Sequence, residues 1–135
     1  MYRSVCTFRA RGLIGLFALA VSLLGTATGA RAGVLASGYL WSNDAVSMAC
    51  FVLNVGSTEV EIVSSKVVDG TGATLLGYED CAVKKKIGPG KRCGMQVTTK
   101  QAAAILVVKG SKARLRGTCQ LNGTGNNIIA TTPMS

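Results

Sequence analysis

The chain has 135 residues, 15 Lys plus Arg against 6 Asp plus Glu, a formal net charge of +9 and no histidine. That length leaves room for one domain beside a targeting segment. Without histidine there is no general base of the usual kind near neutral pH, which excludes Ser-His-Asp and Cys-His nucleophile activation.

The first residues read as an export signal. Arg3, Arg9 and Arg11 form a positive n-region, and an uncharged run from Gly12 to Ala30 follows. Ala30-Arg31-Ala32 places small residues where a signal peptidase needs them, so cleavage is expected after Ala32. The strongly apolar part, Gly12 to Leu24, is short against the roughly 20 residues that span a bilayer. Removing residues 1–32 from 135 leaves a single domain of 103 residues, 33–135. Four arginines leave with the signal, so 11 Lys plus Arg face 6 acids, a net of +5. Cys6 leaves too, and Cys50, Cys81, Cys93 and Cys119 remain. An even cysteine count in an exported domain implies two disulfides, in one of three pairings. Of these, Cys81–Cys93 across the Pro-Gly loop and Cys50–Cys119 joining an early strand to a late one form the expected set. The compartment is periplasmic or extracellular.

From residue 33 the pattern is strands and turns. Val46 to Asn54 is apolar and β-prone, closed by the turn cluster Asn54-Val55-Gly56-Ser57. From Thr58 the chain alternates, Val60 and Ile62 on one face and Glu59 and Glu61 on the other, through Lys66, Val67 and Val68. Asp69-Gly70-Thr71-Gly72 is a turn, and a short run from Ala73 to Leu76 leads toward Cys81. Ile87-Gly88-Pro89-Gly90 is the next reversal, since proline sets φ and glycine permits the turn. Arg92 to Thr98 alternates again, and Ile105 to Lys109 suits a central strand. After Gly110-Ser111, Lys112, Arg114 and Arg116 alternate with Ala113 and Leu115, the spacing of a strand that shows all three cations on one face. Asn122-Gly123 is a hairpin turn and Asn127 to Thr131 a last edge strand. No convincing helix is expected. Lys100 to Val108 is the one helical rival, kept as a strand because it ends in the β-branched pair Val107-Val108. Tyr39 and Trp41, on one side of an extended segment, are expected in the core or covering a sheet. The expected fold is all-β, an antiparallel β-sandwich of about 7–8 short strands behind a cleavable signal-peptide helix.

Two stretches resemble the immunoglobulin-like domains of exported bacterial proteins. CFVLNVGSTEVEIVSSKVVDGTG from Cys50 looks like a second strand, its Asn-x-Gly turn and a third strand. IGPGKRCGMQV from Ile87 looks like the Pro-Gly loop before a later strand. The resemblance covers roughly residues 46–118 and implies an immunoglobulin-like sandwich with a non-catalytic role. It carries over no functional residue, and Trp41 precedes the first cysteine of the pair rather than lying between two as in antibody-type domains.

No cysteine pair has the spacing of a zinc knuckle, so no metal or cofactor is expected. The carboxylates are Asp44, Glu59, Glu61, Asp69, Glu79 and Asp80, and a glycosidase needs two facing each other across a cleft. Glu59 and Glu61 read as solvated charge instead, and Glu79 and Asp80, adjacent on a strand, would point to opposite faces. Gly70-Thr71-Gly72 lacks the helix and lysine of a phosphate loop. Asn122-Gly123-Thr124 matches a glycosylation sequon, which the turn role explains without modification. The basic residues alone have a direction. Lys84, Lys85, Lys86, Lys91 and Arg92 flank the Pro-Gly loop, and with Lys112, Arg114 and Arg116 they are the candidate polyanion-binding set. The competing reading is that they solvate a loop and guard an edge strand. The mature aromatics are Tyr39, Trp41, Phe51 and Tyr78, none beside the lysines in sequence, which argues against a nucleic-acid partner. The sequence thus leads to a monomeric, non-enzymatic exported protein that binds or plays a structural part. An envelope-surface or polyanion-binding module and a pilus-like assembling subunit are the alternatives. The sequence names no partner; an anionic envelope surface or another exported protein is the class these alternatives imply.

Overall fold

The structure, a computed structural model, describes residues 31–135. The expected signal peptide lies outside these residues except for Arg31 and Ala32, and Ala32 already pairs with Lys109 at the start of the first strand. Among the described residues there are eleven strands, one short α-helix and two 3-10 turns. The strands begin with β1 (Ala32–Ala36), β2 (Leu40–Trp41), β3 (Ser47–Asn54), β4 (Val60–Val68), β5 (Thr74–Leu75) and β6 (Tyr78–Glu79). A helical turn, α1 (Asp80–Lys84), leads to β7 (Lys86–Ile87) and β8 (Arg92–Val97). The chain ends through β9 (Gln101–Lys109), β10 (Leu115–Asn122) and β11 (Ile128–Met134).

These strands form two antiparallel sheets. One has the order β1-β9-β4-β5, with β2 continuing β1's place on β9 and β7 pairing with β4; the other runs β11-β10-β3-β8-β6. Period-2 patterning decides what each strand turns inward. On β9, Ala102, Ala104, Leu106 and Val108 are buried and alternate with partly exposed Ala103, Ile105 and Val107. On β3, Met48, Cys50, Val52 and Asn54 face in. The inward rows of both sheets form one core with Val60, Ile62, Val67, Met95, Val97 and Leu121, which makes the domain a β-sandwich. Along one edge the two sheets are tied: Ala36 N–H donates to the Ser135 carbonyl at 3.1 Å, and Ser135 N–H donates back to Ala36 at 3.0 Å.

Both expected disulfides are present, Cys50–Cys119 and Cys81–Cys93, closing sequence separations of 69 and 12 residues. Cys50 and Cys119 stand directly opposite each other on β3 and β10, so the bridge joins neighbours within one sheet. In antibody domains the corresponding bridge joins the two sheets.

Four expectations require correction. The strand count is eleven, because β2, β5, β6 and β7 are two-residue pairings that carry no readable period. A helix exists: α1 is one turn, with Asp80 and Lys84 paired at 2.7 Å in i,i+4 spacing and Lys85 ending it in the left-handed region at φ 57°. Asp80 therefore lies on that helix and not on a strand beside Glu79. Lys112 and Arg114 do not share a strand face with Arg116. Gly110 reverses the chain at φ 86°, and the Ser111 hydroxyl then accepts from Ala113 N–H at 3.2 Å and caps a 3-10 turn over Lys112–Arg114. Of the two places expected for Tyr39 and Trp41, only the core is ruled out, since they are 48% and 60% exposed and it is Leu40 between them that packs against the core. No helix among the described residues is long and apolar enough to cross a membrane.

Candidate functional site

The Pro-Gly segment forms the turn its sequence demands. Lys91 N–H donates to the Gly88 carbonyl at 3.0 Å across Pro89-Gly90, and Gly90 sits at φ 67°. This is the arrangement of a type II turn, which needs positive φ at its third residue. The turn is tied to the end of β3: Gly90 N–H donates to the Asn54 carbonyl at 2.9 Å, and Asn54 N–H to the Lys91 carbonyl at 3.0 Å. Lys91 and Arg92 are thereby fixed beside Leu53.

The outward face of the five-stranded sheet completes the site. Leu53 on β3 lies directly opposite Arg116 on β10 and Arg92 on β8. Directly opposed residues share a face, so the two arginines start from either side of Leu53 with their backbones about 10 Å apart, although the Arg116 guanidinium turns back to donate to the Ala113 and Leu115 carbonyls at 3.0 and 2.8 Å. One pleat along β3, Phe51 stands opposite Thr118 and Gly94. With no side chain at Gly94, the ring is free to lean over that strand, and the Arg92 guanidinium carbon sits 5.8 Å from its centroid. That is cation–π distance. Phe51 and Leu53 are 40% and 41% exposed.

Lys84, Lys86, Lys91 and Arg92 line one cleft of about 500 Å³ together with Leu53, Gly88 and Gly90. A second cleft of about 270 Å³ adjoins it through Lys84 and Arg92 and adds Phe51, Tyr78 and Asp80. Helix α1 delivers Lys84, held by the Cys81–Cys93 bridge to β8, and its ammonium also donates to the Arg92 carbonyl at 3.2 Å. Lys86 lies 2.9 Å from Glu59, whose hydrogen bond and opposite charge raise the lysine's pKa and keep it protonated. Lys91 and Arg92 have no carboxylate partner within 4.0 Å among the described residues.

The eight basic residues singled out from sequence therefore divide. Lys84, Lys86, Lys91 and Arg92 converge, and Arg116 stands across Leu53 from them. Lys85 is exposed beyond the end of α1. Arg114 packs against Gly56 and donates to the Thr58 hydroxyl. Lys112 lines a different depression, with Arg31, Gly33 and Ser111. Phe51, Leu53 and Tyr78 belong to the site although no basic neighbour in sequence announces them. Although no aromatic neighbours a lysine in sequence, the fold places the Phe51 ring under Arg92 and sets Tyr78 in the same cleft as Lys84. Both faces of the β3 segment are apolar, so alternation along it does not say which face is open.

Five of the six carboxylates are engaged, Asp80 and Glu59 by lysines of the cleft itself. Glu59, Glu61 and Asp80 pair with Lys86, Lys109 and Lys84. Glu79 accepts from the Ser65 hydroxyl at 2.8 Å. Asp69 accepts from the hydroxyl and N–H of Thr71 at 2.7 and 2.8 Å, bonds that lower its pKa. Among the described residues no group of three or more His, Cys, Asp or Glu is placed to hold a metal ion. Comparison with protein-family models, with curated proteins and with solved structures gives no match for this chain.

Proposed function

We propose that this protein is exported, loses residues 1–32, and acts outside the cytoplasm as a non-catalytic, immunoglobulin-like module that binds anionic ligands through the cleft beside Leu53. Cleavage after Ala32 takes one residue from β1 and leaves four of its five pairs with β9. Two disulfides suit an oxidising compartment. With every mature cysteine in a bridge and no histidine in the chain, thiolate and imidazole catalysis have no residue to run on.

The observation that carries the binding role is the convergence of Lys84, Lys86, Lys91 and Arg92 on one cleft, where Asp80 and Glu59 pair with Lys84 and Lys86 and leave the charges of Lys91 and Arg92 without a carboxylate partner among the described residues. Clustered like charges raise the local concentration of counter-ions and steer anions inward, an effect that salt screens. The test is binding to immobilised heparin, used as a generic polyanion. Retention should fall steeply with salt, and Lys91→Glu with Arg92→Glu should weaken binding by about tenfold or more while thermal unfolding stays put. Equal retention of the wild type and the double variant contradicts the proposal.

A further inference from the structure

We infer that the anionic ligand is a lipid bilayer surface, on which the outer face of the five-stranded sheet docks with Phe51 and Leu53 entering the headgroup layer. This rests on the anion-binding reading and adds the ligand's class. The cations alone would serve any polyanion. What singles out a bilayer is that exposed apolar residues share the clefts with the cations: Leu53 lines one with Lys84, Lys86, Lys91 and Arg92, and Phe51 lies under Arg92 with Tyr78 and Lys84 in the adjoining one. A sulfated polysaccharide leaves a leucine and a phenylalanine in water. A membrane interface accepts them, and it favours aromatic side chains at headgroup depth with lysine and arginine reaching the phosphates. The clefts are open and small, about 500 and 270 Å³, so they receive headgroups at a surface and do not enclose acyl chains. Single-stranded nucleic acid is the rival, since a basic groove with an aromatic platform also suits bases. Leu53, an aliphatic residue with no stacking face in the same cleft as the cations, favours lipid.

The experiment compares the oxidised mature protein on three probes: vesicles of phosphatidylcholine with about one-third phosphatidylglycerol, heparin, and a single-stranded oligonucleotide. Leu53→Thr and Phe51→Thr keep β propensity at partly exposed positions, so both fold. Each should weaken vesicle binding roughly fivefold or more and leave heparin binding within about twofold. Lys91→Glu should weaken both, and vesicles of phosphatidylcholine alone should bind poorly. Heparin binding without vesicle binding overturns the lipid assignment and leaves the anion-binding reading standing, as does vesicle binding indifferent to Leu53→Thr. Oligonucleotide binding that is tighter than vesicle binding and lost with Phe51→Thr overturns it in favour of nucleic acid. Binding to none of the three overturns both.

Discussion

Asn54 is fully buried and uses every polar group it has. Its side-chain amide donates to the Thr58 and Ile87 carbonyls, both at 2.8 Å, and its side-chain oxygen accepts from Gly56 N–H at 2.9 Å. Its backbone holds Gly90 and Lys91. One side chain thus closes the turn after β3 and anchors the segment that positions Lys91. Asn54→Ala strands the buried Ile87 carbonyl, removes the bonds to the Thr58 carbonyl and Gly56 N–H, and should cost about 2–4 kcal/mol in urea unfolding. Asn54→Asp should cost more at neutral pH, because it sets a carboxylate against the two carbonyls that the amide satisfied. The turn at Asn54-Val55-Gly56-Ser57 is legible in sequence from its residue types. The reach to Ile87, 33 residues away, is not, because no local pattern records a tertiary contact. Phe51 and Leu53 are hidden for a related reason: a strand apolar on both faces has no sequence mark for the exposed one.

Among the elements, those with a period or a strong turn could be read: β3, β4, β8, β9 and the Pro-Gly reversal all stand close to where alternation and turn chemistry place them. The two-residue strands and the single turn of α1 are too short to show a period. The Lys112–Arg114 turn mimics a strand in its alternation, and the Ser111 cap is the signal that distinguishes the two. The disulfides bear most directly on element stability. In the chain-entropy description the longer loop contributes more, about 4 kcal/mol for Cys50–Cys119 against about 3 for Cys81–Cys93. Denaturant unfolding of the paired alanine variants should show that order. The Cys81→Ala, Cys93→Ala variant should also lose heparin affinity severalfold at temperatures where it remains folded, since α1 and Lys84 are then no longer strapped to β8. An inverted order would mean that strain or residual unfolded-state structure outweighs loop length.

For the whole molecule, the fold class follows from short strands punctuated by turns, whereas the site follows from the order in which those strands pair. Arg92 and Arg116 are 24 positions apart in sequence and are brought to either side of Leu53 only because β3 lies between β8 and β10. The Pro-Gly half of the site is visible in sequence as a run of lysines around a turn, and the sheet half is not. Mapping an anion onto the folded domain tests this directly. Titrating inorganic phosphate or a short heparin oligosaccharide into the nitrogen-labelled, oxidised protein should shift the amides of residues 51–54, 84–94 and 116 in a salt-dependent way. Amides near Gly33 and Lys112, at the other basic depression, should stay unmoved. Shifts centred on Lys112 and Gly33, or scattered evenly over all the lysines, would contradict the assignment of the cleft beside Leu53 as the binding site.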